Sequence, residues 1–258
     1  MSIVHEITNG ILDLIFPRQP YCLVCNNKLE TGKALICLSC ENRVKPVSPP
    51  LCRKCGRPFI VPGPATAGST DFSAPDFFKT QVYHLCYDCR AREHYFVEAR
   101  SFGHYEGILK ELIHRFKYGG RRELAEFLGG RMVQTLEHIS WPAFDYIVPV
   151  PLHIKRERER GYNQAFLLAS VLNRHTGVPI FRGFIRIKPT EHQTLLDKSL
   201  REQNLTGAFE VVDKARLKGK TLLLIDDVYT TGSTADECSK TLINAGADNV
   251  FVLTCARG

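Results

Sequence analysis

The run Thr221 to Thr234, TLLLIDDVYTTGST, carries residue types suited to holding a phosphorylated sugar. Leu222 to Ile225 is short and continuously apolar, the pattern of a parallel strand covered on both faces, and it stops at Asp226. Asp226 and Asp227 can accept hydrogen bonds from two vicinal ribose hydroxyls. Thr230, Thr231, Gly232, Ser233 and Thr234 then form a turn opening into the helical pattern TADECSKTLINAG. The first N–H groups of a helix have no intrahelical partner and carry the positive end of its dipole, so this turn, with its added hydroxyl donors, suits a phosphate dianion. Gly232 lets the backbone approach closely. The alternative is an ordinary strand-to-helix loop with the aspartates as caps.

The motif resembles the PRPP-binding signature of type I phosphoribosyltransferases, two acidic residues followed by a threonine-glycine turn, and matches it at nearly every position; PRPP is 5-phosphoribosyl 1-diphosphate. Purine-type members commonly carry an acidic residue where Thr230 stands, to handle the proton of the acceptor base. This chain lacks that general base, so the resemblance assigns no catalytic residue.

Eight of the ten cysteines fall into four CxxC pairs: Cys22 with Cys25, Cys37 with Cys40, Cys52 with Cys55, and Cys86 with Cys89. Two residues between thiolates let one tight turn aim both sulfurs at one cation, and two such knuckles complete a tetrahedral zinc site, so up to two structural Zn²⁺ ions are expected. Sequential pairing makes a tandem double ribbon, and alternate pairing a cross-braced one. The 11 residues between Cys25 and Cys37 favour the sequential form without excluding the other. Val61 to Pro75, rich in Pro, Gly, Ser and Thr, reads as an inserted loop. The isolated Cys238 and Cys255 read as small buried hydrophobes.

The metal also changes the charge argument. The formal +7 counts every cysteine as neutral; two filled zinc–tetrathiolate sites bring it to about +3. The chain is 44% hydrophobic and 24% charged, which reads as soluble and globular rather than disordered. Any nucleic-acid surface must therefore be local, with Arg43, Lys45, Arg53, Lys54 and Arg57 as candidates against an ordinary solvated face. Residues 3–15 space their apolar positions as a short amphipathic helix, and no run reaches membrane-spanning length.

From about residue 94 the pattern is that of one α/β domain. Helices are expected across YEGILKELIHRFKYGG and Glu123 to Leu136, then a strand from Tyr146 to Val150. The loop HIKRERERGYNQ follows, with Lys155, Arg156, Arg158 and Arg160 beside the turn-capable Gly161, and a helix from Asn163. Its cations, with Arg156 and Arg160 foremost, suit a diphosphate. After VPIFRGFIRI, the long polar stretch KPTEHQTLLDKSLREQNLTGAF reads as a lid in which Gln193, Arg201 and Asn204 close over the ligand. Strands at Phe209 to Val212, Leu222 to Ile225 and Asn249 to Thr254 complete a mainly parallel, doubly wound sheet of phosphoribosyltransferase type, with the ligand at the carboxyl ends of the strands.

Taken together, the four CxxC pairs, PVPLH, RERGYNQ, HQT with RxxN and GAF, and LLLIDDVYTTGST resemble the ComF family along the whole chain. The resemblance implies a cytoplasmic bacterial protein with residues 1–93 as helix and double zinc ribbon and 94–258 as the phosphoribosyltransferase-like domain. It implies PRPP binding with Mg²⁺, and a role in single-stranded DNA uptake during natural transformation with a ComFA-like helicase and other competence proteins. Some relatives instead carry gluconate-utilisation names. The alternatives to an accessory PRPP-binding role are an active transferase with an unidentified acceptor, such as a nucleobase or amine, and a zinc scaffold with an inert α/β domain. The Val61 to Pro75 insertion leaves the second zinc site less secure than the first.

Overall fold

The computed structural model describes residues 21–29, 35–59, 85–189 and 205–258. The expected N-terminal helix, the Val61 to Pro75 loop and the lid residues Gln193, Arg201 and Asn204 lie outside the described residues. The chain divides into two compact units, 1–44 and 45–258, so a change of unit falls between the second and third CxxC pairs, and residue 93 lies inside the larger unit. The smaller unit carries the first four cysteines and the one-turn helix α1 (Leu38–Glu41).

The larger unit begins with the remaining CxxC pairs, the last of them at the short helix α2 (Tyr87–Ala91). Its centre is an all-parallel sheet in the order β1-β6-β5-β2, formed by β1 (Ala99–His104), β2 (Tyr146–Pro149), β5 (Thr221–Tyr229) and β6 (Asn249–Arg257). Between β1 and β2 run α3 (Gly107–Tyr118) and α4 (Leu124–Glu137); β2 is followed by α5 (Ile154–Arg160) and α6 (Gln164–Thr176). The strands β3 (Phe184–Arg186) and β4 (Phe209–Val211) pair antiparallel, apart from the main sheet, and α7 (Ser233–Asn244) joins β5 to β6.

Strand alternation divides the core. Leu222 and Leu224 of β5 join Val250 and Val252 of β6 in one buried cluster with Cys238 and Leu242 of α7. On the opposite face, the Cys255 thiol lies 3.3 Å from the Met132 sulfur of α4. Both isolated cysteines are fully buried, as small hydrophobes.

Four local features depart from the sequence expectations. Strand β5 runs on through the acidic pair to Tyr229, because β6 hydrogen-bonds beside it as far as Arg257. Strand β1 has no apolar signature: its Arg100 is buried, and bonds the carbonyls of Arg53 and Ala99 and the Glu98 carboxylate at 3.1, 2.8 and 3.1 Å. The basic loop contains a helix, α5, whose charged residues are good helix formers, closed by Gly161 at φ 80°. The segment VPIFRGFIRI divides: Ile180 makes a single parallel bridge to Ile147 of β2, and only Phe184–Arg186 form a strand, paired with β4.

Candidate functional site

Because β5 continues through Asp226 and Asp227, the two carboxylates leave the strand on opposite faces. Asp227 is buried and engaged: Lys117 Nζ at the end of α3 lies 2.7 Å from its Oδ1, and Gln164 Nε2 at the start of α6 donates to its Oδ2 at 3.2 Å. Burial works against the charge on Lys117, but the Asp227 ion pair and hydrogen bond outweigh it and raise the ammonium pKa. Asp226 remains partly open to solvent and accepts only the Asp227 N–H, at 2.8 Å, among the hydrogen bonds of the described residues. Its pKa is raised to about 7, first by the water it has lost and then by the ionised Asp227 beside it; Lys117 and Arg186 counteract this in part. The pair is therefore unequal. Asp227 is a structural anion that orients Lys117 and Gln164, and Asp226 is the group free to meet a hydroxyl or a hydrated cation.

The turn after β5 is three residues long, Thr230 to Gly232, before α7 begins at Ser233. Gly232 caps the helix with φ 82°, and a Cβ there would sit 2.2 Å from the Tyr229 hydroxyl oxygen, so no other residue fits without displacing that ring. Thr231 Oγ1 lies 2.9 Å from Ser233 Oγ, Thr230 is exposed, and Thr231 and Thr234 are partly exposed. Backbone N–H groups of a first helical turn, threonine hydroxyls and a glycine cap are groups that can cradle an anion.

The basic segment lies at the same end of the sheet. Strand β2 is hydrogen-bonded to β5, and Val150 N–H donates to Ile225 O at 2.9 Å, one residue before the acidic pair. His153 receives the Lys155 N–H at 3.4 Å, capping α5, and its backbone bridges to Arg186 of β3. Burial depresses the pKa of Arg186, as does the like charge of Arg156, while Asp226 acts in the opposite sense. Arg156, Arg186 and Asp226 thus share one electrostatic neighbourhood. Arg160 lies over the Tyr118 ring at 5.1 Å, and Gly161 is held by Arg122, which donates to its carbonyl at 2.7 Å. Sequence reasoning named Arg156, Arg160 and Gly161 but passed over Lys117, Gln164 and Arg186. Lys117 precedes Gly119 and Gly120 and reads as a helix-end cation, which hides its reach to Asp227.

The cysteines pair sequentially. Cys22, Cys25, Cys37 and Cys40 form one quartet and Cys52, Cys55, Cys86 and Cys89 the other, with the sulfurs of each within 4.8 Å of one another. Each quartet repeats one knuckle geometry, in which Cys22 N–H reaches Asn27 O and Cys52 N–H reaches Arg57 O, both at 2.7 Å. Backbone N–H groups of Cys37 and Cys86 point at Cys22 Sγ and Cys52 Sγ, both at 3.3 Å, as thiolates require. The Cys52 thiol is lowered to about 4, mainly by the Cys55 side chain and then by backbone donors. Four convergent sulfurs with N–H support fit Zn²⁺ in both places.

Between the second quartet and the turn after β5 lies a cleft of about 470 Å³, whose walls include Arg57, Tyr87, Arg92, Tyr229, Thr230 and Arg257. Its cations are all engaged: Arg57 with Asp88 at 2.6 Å, Arg92 with Asp236 at 3.0 Å, and Arg257 with Cys55. Among the described residues, no helix is long and apolar enough to cross a membrane.

A family model described as "Double zinc ribbon domain" matches residues 11–90. Competence protein F of Haemophilus influenzae is 32% identical over 245 residues, covering 92% of this chain and 96% of that protein. Competence protein ComFC of Bacillus subtilis is 27% identical over 259 residues, 94% of each chain, and DNA utilization protein YhgH of Escherichia coli is 28% identical over 243 residues, covering 92% of this chain and 96% of that protein. Among solved structures, glutamine PRPP amidotransferase from B. subtilis aligns at 22% identity and a TM-score of 0.33, covering 52% of this chain and 25% of that one, too remote to carry an argument. Identity of 32% along nearly the whole of both chains leads to one conclusion: this protein belongs to the competence protein F, or ComF, family.

Proposed function

We propose that this protein binds PRPP together with Mg²⁺ at the carboxyl ends of β2 and β5, and that it supports single-stranded DNA uptake in natural transformation from the cytoplasm, alongside a ComFA-like helicase and other competence proteins. The names of its relatives support the process, since two are competence proteins and others are DNA utilization proteins. One observation carries the ligand: the phosphate turn, the open carboxylate of Asp226 and the Arg156–Arg186 cations converge at one end of the sheet. In this reading the backbone and hydroxyls of Thr230 to Thr234 hold the 5-phosphate. Asp226 accepts from a ribose hydroxyl, while Arg156 and Arg160 grip the diphosphate. Asp227 keeps Lys117 charged beside the same ligand. Bound Mg²⁺ would neutralise diphosphate charge, next to the carboxylate that has room for its water shell. Calorimetric titration with PRPP and Mg²⁺, with and without single-stranded DNA, tests the proposal: saturable PRPP binding is expected, and its absence removes the ligand reading.

The cleft beside Thr230 favours a second reading, transfer of the phosphoribosyl group to an acceptor. At about 470 Å³ it has room for a small molecule, and because Arg57 and Arg92 are matched by Asp88 and Asp236 and Arg257 is bonded to Cys55, it suits a neutral, flat, hydrogen-bonding one. Diphosphate release in the presence of nucleobases or amines would favour this reading over binding alone.

A further inference from the structure

The second cysteine quartet grips the phosphate turn at both ends. Arg257, on the last strand, is 5% exposed and donates from Nη1 to the Cys55 carbonyl and from Nη2 to Cys55 Sγ at 3.3 Å. Its guanidinium carbon lies 4.8 Å from the centre of the Tyr229 ring. Tyr229 ends β5 and is itself 5% exposed, and its hydroxyl occupies the space beside Gly232 that a side chain there would need. That contact holds the strand end of the turn. The helix end is held from the other side of the same quartet: Arg92, three residues beyond Cys89, pairs with Asp236 Oδ2 at 3.0 Å, and Tyr95 N–H donates to Asp236 Oδ1 at 2.8 Å. Asp236 sits in the first turn of α7.

We propose that the second quartet is coupled to anion binding at the turn, with Arg257 as the positioning residue. The metal-loaded quartet is an anionic cluster that fixes the Arg257 fork. Arg257 fixes the Tyr229 ring, and the ring keeps Gly232 in the left-handed conformation that opens the turn to a phosphate. Without the ion, the Cys55 knuckle that presents both acceptors to the guanidinium is no longer fixed, and the ring is free to follow. This inference rests on the phosphate reading of the turn given above. The first quartet belongs to the other compact unit and serves as the internal control. Coupling between two sites is reciprocal, so the anion should retain the metal as strongly as the metal retains the anion.

The test uses the full-length zinc-loaded protein, challenged with a chelator and followed by a chromogenic zinc indicator, with and without PRPP and with Mg²⁺ throughout. We expect one of the two ions to be held against the chelator on the order of tenfold more tightly at equilibrium when PRPP is present. Cys40→Ser, which removes the first site, should retain the protected ion. Arg257→Gln should bind two ions yet lose the protection, and Arg257→Lys should restore part of it. Amide hydrogen exchange at Thr230 to Thr234 provides a readout without ligand: it should accelerate in Cys89→Ser and Arg257→Gln and stay unchanged in Cys40→Ser. If PRPP binds the wild type but protects neither ion, or if turn exchange ignores the loss of the second quartet, the coupling is refuted. If PRPP does not bind at all, the ligand reading fails, and the exchange data alone decide the coupling.

Discussion

Asp226→Asn should make this protein more stable while removing its ligand. The fold holds the Asp226 carboxyl at a pKa of about 7, against an ordinary 3.8, because burial strips its water and Asp227 stands ionised beside it. A raised carboxyl pKa means that the native state keeps a proton that the unfolded chain releases, so native stability falls as pH rises from about 4 through about 7. Three units correspond to about 4 kcal/mol. Asp226 is partly open to solvent, which screens the effect, and about half, or 2 kcal/mol, is the working figure. Asparagine keeps the oxygen that accepts the Asp227 N–H, so little else changes. The variant should exceed the wild type by about 1 kcal/mol at pH 5.5 and by about 2 kcal/mol at pH 8, a range in which the thiolates stay metal-bound. Urea denaturation followed by tryptophan fluorescence suits the measurement, because Trp141 is the sole tryptophan and packs against Phe144 and Phe251 of the larger unit. PRPP titration of the same samples should show binding lost. A variant less stable than the wild type at pH 8, or a gap that does not widen with pH, would refute the claim that the fold holds Asp226 against its own ionisation.

The neighbouring substitution should act in the opposite direction: Asp227→Asn strands the mostly buried Lys117 ammonium and should cost about 3 kcal/mol in the same denaturation assay. Gly232→Ala forces a methyl onto the Tyr229 hydroxyl at a positive φ, and should weaken PRPP binding at least about tenfold by calorimetry, for a stability loss of roughly 1–3 kcal/mol. Cys22→Ser should lower metal content by one zinc per chain, since a small ribbon without its ion cannot hold its fold; elemental analysis together with exchange in residues 35–44 would show it.

Much of the site could be read before any coordinates. The acidic pair, the threonine-glycine turn and the four CxxC pairs are each contiguous in sequence, and their chemistry follows from residue type and short spacing alone. Burial of Cys238 and Cys255 was readable as well, because each stands isolated, without a CxxC partner, in helix-like or strand-like sequence. Strand β1 was not, because its one charged core residue, Arg100, finds its partners only through tertiary packing. The helix α5 was hidden by its charge: IKRERER has no apolar face to report a period, although its residues favour helix.

By itself, then, the amino-acid order determined which groups could cradle a phosphate and which could bind zinc, because those functions depend on neighbours a few residues apart. Only the tertiary structure decided how the groups are used. Continuation of β5 past Ile225 turned two equivalent-looking aspartates to opposite faces, and Lys117, 110 positions upstream, engaged one and left the other partly open. It likewise chose sequential pairing of the cysteines and brought Arg257 from the end of the chain onto Cys55. Contacts at such separations are set by sheet order and strand alternation, and neither leaves a mark in any short stretch of sequence.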